Sequence, residues 1–196
     1  MTIGILGGTG AFGRALGVRL ARLGEHVLLG SRSPHDEFVS NEQAAREGEL
    51  VFLAVPAQGV VSTARDLAGV LAEKVLVSVA SPVVFRDGRP TVEAAETSLA
   101  EQAAAAVPDA RVVAGFHTVA AGALLAERPI DEDVLICGDD QAAKEAVAEL
   151  AERIVSGRAI DAGRLEAARW LEALTAVLLN INRNYRCQAG IRITGL

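Results

Sequence analysis

The segment Gly8-Thr9-Gly10-Ala11-Phe12-Gly13 follows the apolar run Ile3–Leu6 and opens an Ala/Leu-rich amphipathic stretch. Glycines at this spacing are a weak pattern alone. Placed between a strand and a helix, with a second strand at His26–Leu29, they read as the phosphate-binding turn of a dinucleotide-binding βαβ unit. Gly8 is expected to permit the tight turn, Gly10 to let the backbone approach a pyrophosphate, and Gly13 to let helix and strand pack closely. A helix from about Ala11 to Leu23 then offers free N–H groups and the positive end of its dipole to the phosphates.

The end of the second strand selects the nucleotide. An NAD site places Asp or Glu here, bonded to the ribose hydroxyls. This chain has Gly30-Ser31-Arg32-Ser33, with no carboxylate until Asp36. A guanidinium suits a 2′-phosphate through paired, charge-assisted hydrogen bonds, and Ser31 and Ser33 add hydroxyl donors. The expected cofactor is NADP(H).

Strand-like and helix-like runs alternate through the chain. Strands are expected at Leu50–Val55, Val75–Val79, Arg111–Phe116, Val134–Cys137 and Arg158–Ile160. Helices are expected at Asn41–Glu47, Ala57–Leu71, Val92–Ala106 and Gln141–Ile154, with Asp139 or Asp140 capping the last. Pro34–Phe38 and Val84–Pro90 read as loops. The pattern predicts an α/β fold of Rossmann type, a doubly wound, mainly parallel sheet covered on both faces. Leu165–Asn182 reads as one long Leu-rich helix, and Ile191–Thr194 as a candidate final strand. The division expected is an NADP-binding domain over 1–162 and a small helical appendage over 163–196.

Composition removes several function classes. The net charge is −6 and no segment is strongly basic, so nucleic acid is not an expected partner. No apolar run spans a bilayer, and the first residues carry no basic leader pattern, so the cytoplasm is the expected compartment. Two cysteines, Cys137 and Cys187, and three histidines supply no metal-ligand cluster. Cys137 reads as a buried core thiol.

In an open parallel sheet, ligands bind beyond the C-terminal strand ends. Those ends are Ala54-Val55-Pro56-Ala57-Gln58, Ala80-Ser81-Pro82-Val83 and Gly115-Phe116-His117-Thr118-Val119-Ala120-Ala121. They are small, apolar and poor in acids. Hydride exchange between two coenzymes needs two rings held face to face in a dry slot rather than a strong protein acid. His117 is the titratable group there and carries two readings. It is a hydrogen-bond donor or proton relay to the second ligand, or a side chain that only shapes its loop.

Several segments together resemble the NADPH-dependent F420 reductase family, also called F420:NADP oxidoreductases. They are Gly7-Gly8-Thr9-Gly10, Gly30-Ser31-Arg32, Ala54-Val55-Pro56, His117-Thr118, Cys137-Gly138-Asp139-Asp140, and the run from Asp161-Ala162-Gly163 through Leu165, Arg169, Glu172 and Thr175 to Leu179-Asn180-Ile181. The resemblance implies reversible hydride exchange between NADP(H) and the deazaflavin coenzyme F420. It implies Thr9, Gly10, Ala11, Phe12, Ser31 and Arg32 at NADP, and Val55, Pro56, Ser81 and Ala121 near the nicotinamide. It implies that His117 and the Leu178–Asn182 part of the last helix (Leu178, Asn180 and Asn182) approach the deazaflavin, in a homodimer. Two departures stand out. The family carries a longer segment between the second and third strands, and a Lys soon after the Ser-Arg pair where this chain has Pro34-His35-Asp36.

Two other readings fit the same glycine turn. One is an NADPH-dependent reductase of a flavin or of a small imine or carbonyl. The other is a module that senses NADP(H) without chemistry, which a Rossmann fold alone does not exclude.

Overall fold

Alternation along the central strands sets two apolar layers on one sheet. The computed structural model describes residues 1–93 and 95–196. In β1 (Thr2–Leu6), Ile3 and Ile5 join the core on one face and Leu6 the core on the other. The chain continues through α1 (Ala11–Arg22), β2 (His26–Ser31), β3 (Phe38–Ser40), α2 (Asn41–Glu47), β4 (Leu50–Leu53), α3 (Val60–Asp66), α4 (Ala68–Leu71) and β5 (Val75–Ser78). Next come β6 (Val83–Arg86), β7 (Arg89–Val92), α5 (Leu99–Ala106), β8 (Arg111–Gly115), α6 (Ala121–Leu125), β9 (Val134–Gly138), α7 (Gln141–Ile154), β10 (Ala159–Asp161) and α8 (Ala168–Tyr185).

The main sheet runs β10-β9-β8-β5-β4-β1-β2-β3. Every pairing in it is parallel except β8 with β9. Strand order reverses between β1 and β4, which places a ligand crevice at their C-terminal ends. The expected doubly wound α/β fold is therefore present, with α1, α6 and α7 on one face and α2, α3, α4, α5 and α8 on the other.

Six local expectations need correction. Val84–Pro90 is a β-hairpin of β6 and β7, turned by Asp87 and Gly88, both at positive φ (49° and 69°). Asp-Gly is a strong two-residue hairpin signal, and its regular pairing converts a loop into two strands. The helix expected from Val92 starts only at Leu99, because β7 claims Val92 and Ser98 caps the new helix. Ser98 Oγ accepts the Glu101 N–H at 3.0 Å, and Glu101 reaches back to the Ser98 N–H at 2.7 Å. The stretch 57–71 breaks into a short 3₁₀ turn, α3 and α4. Phe38, read as loop, begins β3. Six residues suffice to connect two parallel strands here because β3 pairs only with Leu29, Gly30 and Ser31 at the end of β2.

The fifth correction concerns Ile191–Thr194, which forms no strand. The buried Asp133 carboxylate holds that segment instead. It accepts the Ile193 N–H at 2.8 Å and pairs with Arg158 at 3.1 Å and Arg192 at 3.2 Å. Those donors hold the Asp133 carboxyl far below the ordinary range, the Ile193 N–H contributing most. The long helix expected over Leu165–Asn182 is a 3₁₀ turn at Leu165–Ala167 followed by α8, while two side-chain expectations hold. Asp140 caps α7 by accepting the Ala143 N–H at 2.7 Å, and Cys137 is buried.

Candidate functional site

The glycine turn leaves β1 beside the strand-order reversal. Gly7 takes φ +82°, and a Cβ there would lie 2.7 Å from the Ala54 carbonyl oxygen. The turn's left-handed position is thus Gly7, one residue before the expected Gly8. Gly8 serves packing instead, since a Cβ on it would sit 2.9 Å from Leu29 Cβ on β2. Gly10 precedes α1, and the first helical bond runs from the Arg14 N–H to the Gly10 carbonyl at 2.9 Å. The N–H groups of Ala11, Phe12 and Gly13 come before that bond and lack helical acceptors. No acidic residue occupies the first turn, so the helix end is electrostatically open to an anion.

A crevice of about 670 Å³ opens at this turn. Of the residues expected at NADP or nicotinamide, it brings together Thr9, Gly10, Ser31, Arg32, Val55 and Pro56. Arg32 is exposed and makes no hydrogen bond or ion pair among the described residues. Ser31 is buried, and its Oγ accepts the Ser33 N–H at 3.1 Å while donating to the Ser33 carbonyl at 3.0 Å. These features fit NADP: free N–H groups for the pyrophosphate, and an unengaged guanidinium at the ribose end.

The crevice also holds residues that pattern reading missed. Asn41, the first residue of α2, lines it and accepts the Gly7 N–H at 3.2 Å. Ser62, Thr63 and Asp66 line it as well, beside Gln58 of the strand-end loop already named. Only knowledge that β3 returns beside β2 brings Asn41 to the glycine turn, and no motif signals that.

Ser81, His117 and Ala121 lie on the neighbouring strand ends, outside that crevice. Ser81 Oγ and Thr175 Oγ1 are 2.7 Å apart, and Thr175 donates to the His117 carbonyl at 2.9 Å. Thr175, on α8, thereby ties the ends of β5 and β8 together. Phe116, just before His117, is a buried residue at φ +64°, backbone strain of the kind that collects at functional loops. Phe116 is held there by an edge-on contact with Phe52, ring centres 5.6 Å apart. His117 is buried, and neither ring nitrogen makes a hydrogen bond of good geometry among the described residues, the Ala80 carbonyl being its polar neighbour. Burial pushes its pKa down to about 4 against the weaker pull of the Ala80 carbonyl, so the imidazole is neutral at pH 7. Ala121 opens α6.

The last helix is placed differently. Leu178 is buried. Asn180 donates to the Pro90 carbonyl at 2.8 Å, clamping the hairpin to α8. Asn182 Oδ1 accepts the Ala189 N–H at 2.6 Å. Glu172 is buried and accepts the Leu99 and Ala100 N–H groups, each at 3.0 Å, so α8 caps the N-terminus of α5. Among the described residues, no group of three or more His, Cys, Asp or Glu side chains could hold a metal ion.

Residues 2–82 match the family model described as NADP oxidoreductase, coenzyme F420-dependent. The chain is 34% identical over 222 aligned positions to the F420-dependent NADP reductase of Methanocaldococcus jannaschii, covering 100% of this chain and 99% of that one. With the enzyme of the same name from Methanothermobacter marburgensis, identity is 37% over the same coverage. A crystal structure of a candidate F420-dependent NADP reductase from Arthrobacter sp. FB24 superposes with a TM-score of 0.89 at 29% identity, over the full length of both chains. The chain belongs to the F420-dependent NADP reductase family.

Proposed function

We propose that this chain is an oxidoreductase that transfers a hydride reversibly between NADP(H) and coenzyme F420. The observation that carries the reading is full-length similarity to relatives named for that reaction, laid over a crevice with an unengaged Arg32 and free helix N–H groups. Thr9, Gly10, Ala11 and Phe12 would hold the pyrophosphate, and Ser31 and Arg32 the 2′-phosphate. Val55, Pro56, Ser81 and Ala121 would flank the nicotinamide, which supplies the hydride chemistry when bound. His117, with Leu178, Asn180 and Asn182 on α8, would bound the deazaflavin side. A neutral, buried His117 suits exclusion of water and contact with a ring better than protonation of an alkoxide, which favours a coenzyme acceptor over a carbonyl.

The test is direct. Purified protein given NADPH and oxidised F420 should bleach the deazaflavin absorbance. Turnover of NADPH with a flavin but not with F420 would instead support a flavin reductase. Binding of NADPH without turnover on any acceptor would support a sensor.

The same reading includes a homodimer in the cytoplasm. Trp170, Leu174, Val177, Ile181 and Tyr185 recur at three- and four-residue spacing along α8, and Trp170, Val177 and Tyr185 are exposed. Free thiols at Cys137 and Cys187 suit a reducing compartment. Light scattering should return twice the chain mass, and Val177→Glu should return the monomer. A monomer in the unaltered protein would remove the dimer from this reading.

A further inference from the structure

The β6–β7 hairpin carries a concentration of positive charge that the hydride site does not use. Arg86 and Arg89 face each other across the strand pair that closes its turn. Arg183, in the last turn of α8, donates to the Gly88 carbonyl at the hairpin tip. Arg186 follows at the helix C-cap. All four are exposed. None forms an ion pair with a described residue, although the chain as a whole carries a net charge of −6. The carboxylates beside them in sequence are Asp87 at the tip and Glu93 beyond the hairpin base, both exposed.

This cluster is fixed relative to the strand ends. Thr175 contacts Ser81 and the His117 carbonyl, and Asn180 on the same helix holds Pro90 of the hairpin. From Thr175 to Arg183 the helix advances about 12 Å, at about 1.5 Å per residue. A ring bounded by Ser81 and His117, bearing an extended side chain, would lay that side chain along α8 toward the arginines. Guanidinium groups without carboxylate partners are suited to phosphate and carboxylate, which accept paired hydrogen bonds from them.

We infer that Arg86, Arg89 and Arg183, with Arg186 beside them, bind the anionic side chain of the second coenzyme through its phosphate and carboxylate groups. The inference rests on the F420 reading above and adds a second anchoring point to it, separate from the ring.

The experiment compares F420, whose ring carries a phosphate-linked oligoglutamate chain, with the deazaflavin riboside that lacks it. For the unaltered protein, the KM for F420 should rise with added sodium chloride while that for the riboside stays nearly constant. In the double variant Arg86→Glu, Arg89→Glu, the KM for F420 should rise about tenfold or more, and the KM values for riboside and NADPH should stay within about twofold. The milder pair Arg86→Gln, Arg89→Gln should show a smaller rise in the same direction, and it guards against misfolding of the charge-reversed protein. Equal KM values and equal salt responses for the two deazaflavins in the unaltered protein would overturn the inference alone. So would a rise shared by both deazaflavins in the variants. Absence of turnover with either deazaflavin would overturn the F420 reading itself.

Discussion

Replacing Arg32 by alanine is expected to raise the KM for NADPH by about 10- to 100-fold while leaving that for NADH within about threefold. A charge-assisted contact to a phosphate is worth about 1.5 to 3 kcal/mol, and each 1.4 kcal/mol is about tenfold in affinity. The two nucleotides differ only at the 2′ position, so the ratio of their KM values isolates that contact. The effect is expected to be large because little stands behind Arg32. Ser31 is neutral and shares its hydroxyl with the backbone of Ser33, which leaves it a weaker contact than a guanidinium. Arg14, the nearby cation of α1, pairs with Glu37 at 2.9 Å and lies over the Phe38 ring. His35 Nδ1 is 2.9 Å from the Ser33 carbonyl. A matched loss for both nucleotides would show that Arg32 supports the loop rather than the phosphate.

The second large effect concerns stability. Glu172→Ala should cost about 2 to 4 kcal/mol, because it leaves two buried N–H donors of α5 without acceptors and opens a void beneath α8. Thermal unfolding should show a midpoint lower by about 5 to 15 °C for a chain of this size. A loss below about 1 kcal/mol would mean that water or a shifted side chain replaces the carboxylate.

Glu172 also sets a pH dependence. Burial raises its pKa from 4.5 to about 7, against the two N–H donors. A raised carboxyl binds its proton more tightly in the folded chain. Its stabilising contribution is complete below about pH 4.5 and is lost as pH rises through about 7. Glu132, buried and likewise raised to about 7, acts in the same direction. Glu172→Gln should therefore flatten part of the decline in stability between pH 5 and 8, and leave the part belonging to Glu132.

The parts of the fold that were legible in the amino-acid order are those decided locally. The glycine turn, the Asn41–Glu47 helix and the Asp140 cap depend on neighbours within a few residues, and each lies where periodicity and capping place it. The antiparallel entry of β9 was not legible, because an apolar run such as Val134–Cys137 reads the same in either direction. The hairpin was legible in principle, from Asp87-Gly88, but arginines and a proline in β7 obscured the strand pattern. At the site, Arg32 was legible because it follows a strand of known role. Asn41 and Thr175 were not, since each acts on residues more than thirty positions away.

The sheet face covered by α8 has a consequence for the order of events during synthesis. Leu165, Ala168 and Leu171 complete an apolar layer whose other members, from Leu6 to Cys137, are made earlier. Until the ribosome has released those residues, the part of that layer beneath α8 faces water. The earlier segments therefore wait, partly uncovered, and are most prone to aggregate in that interval.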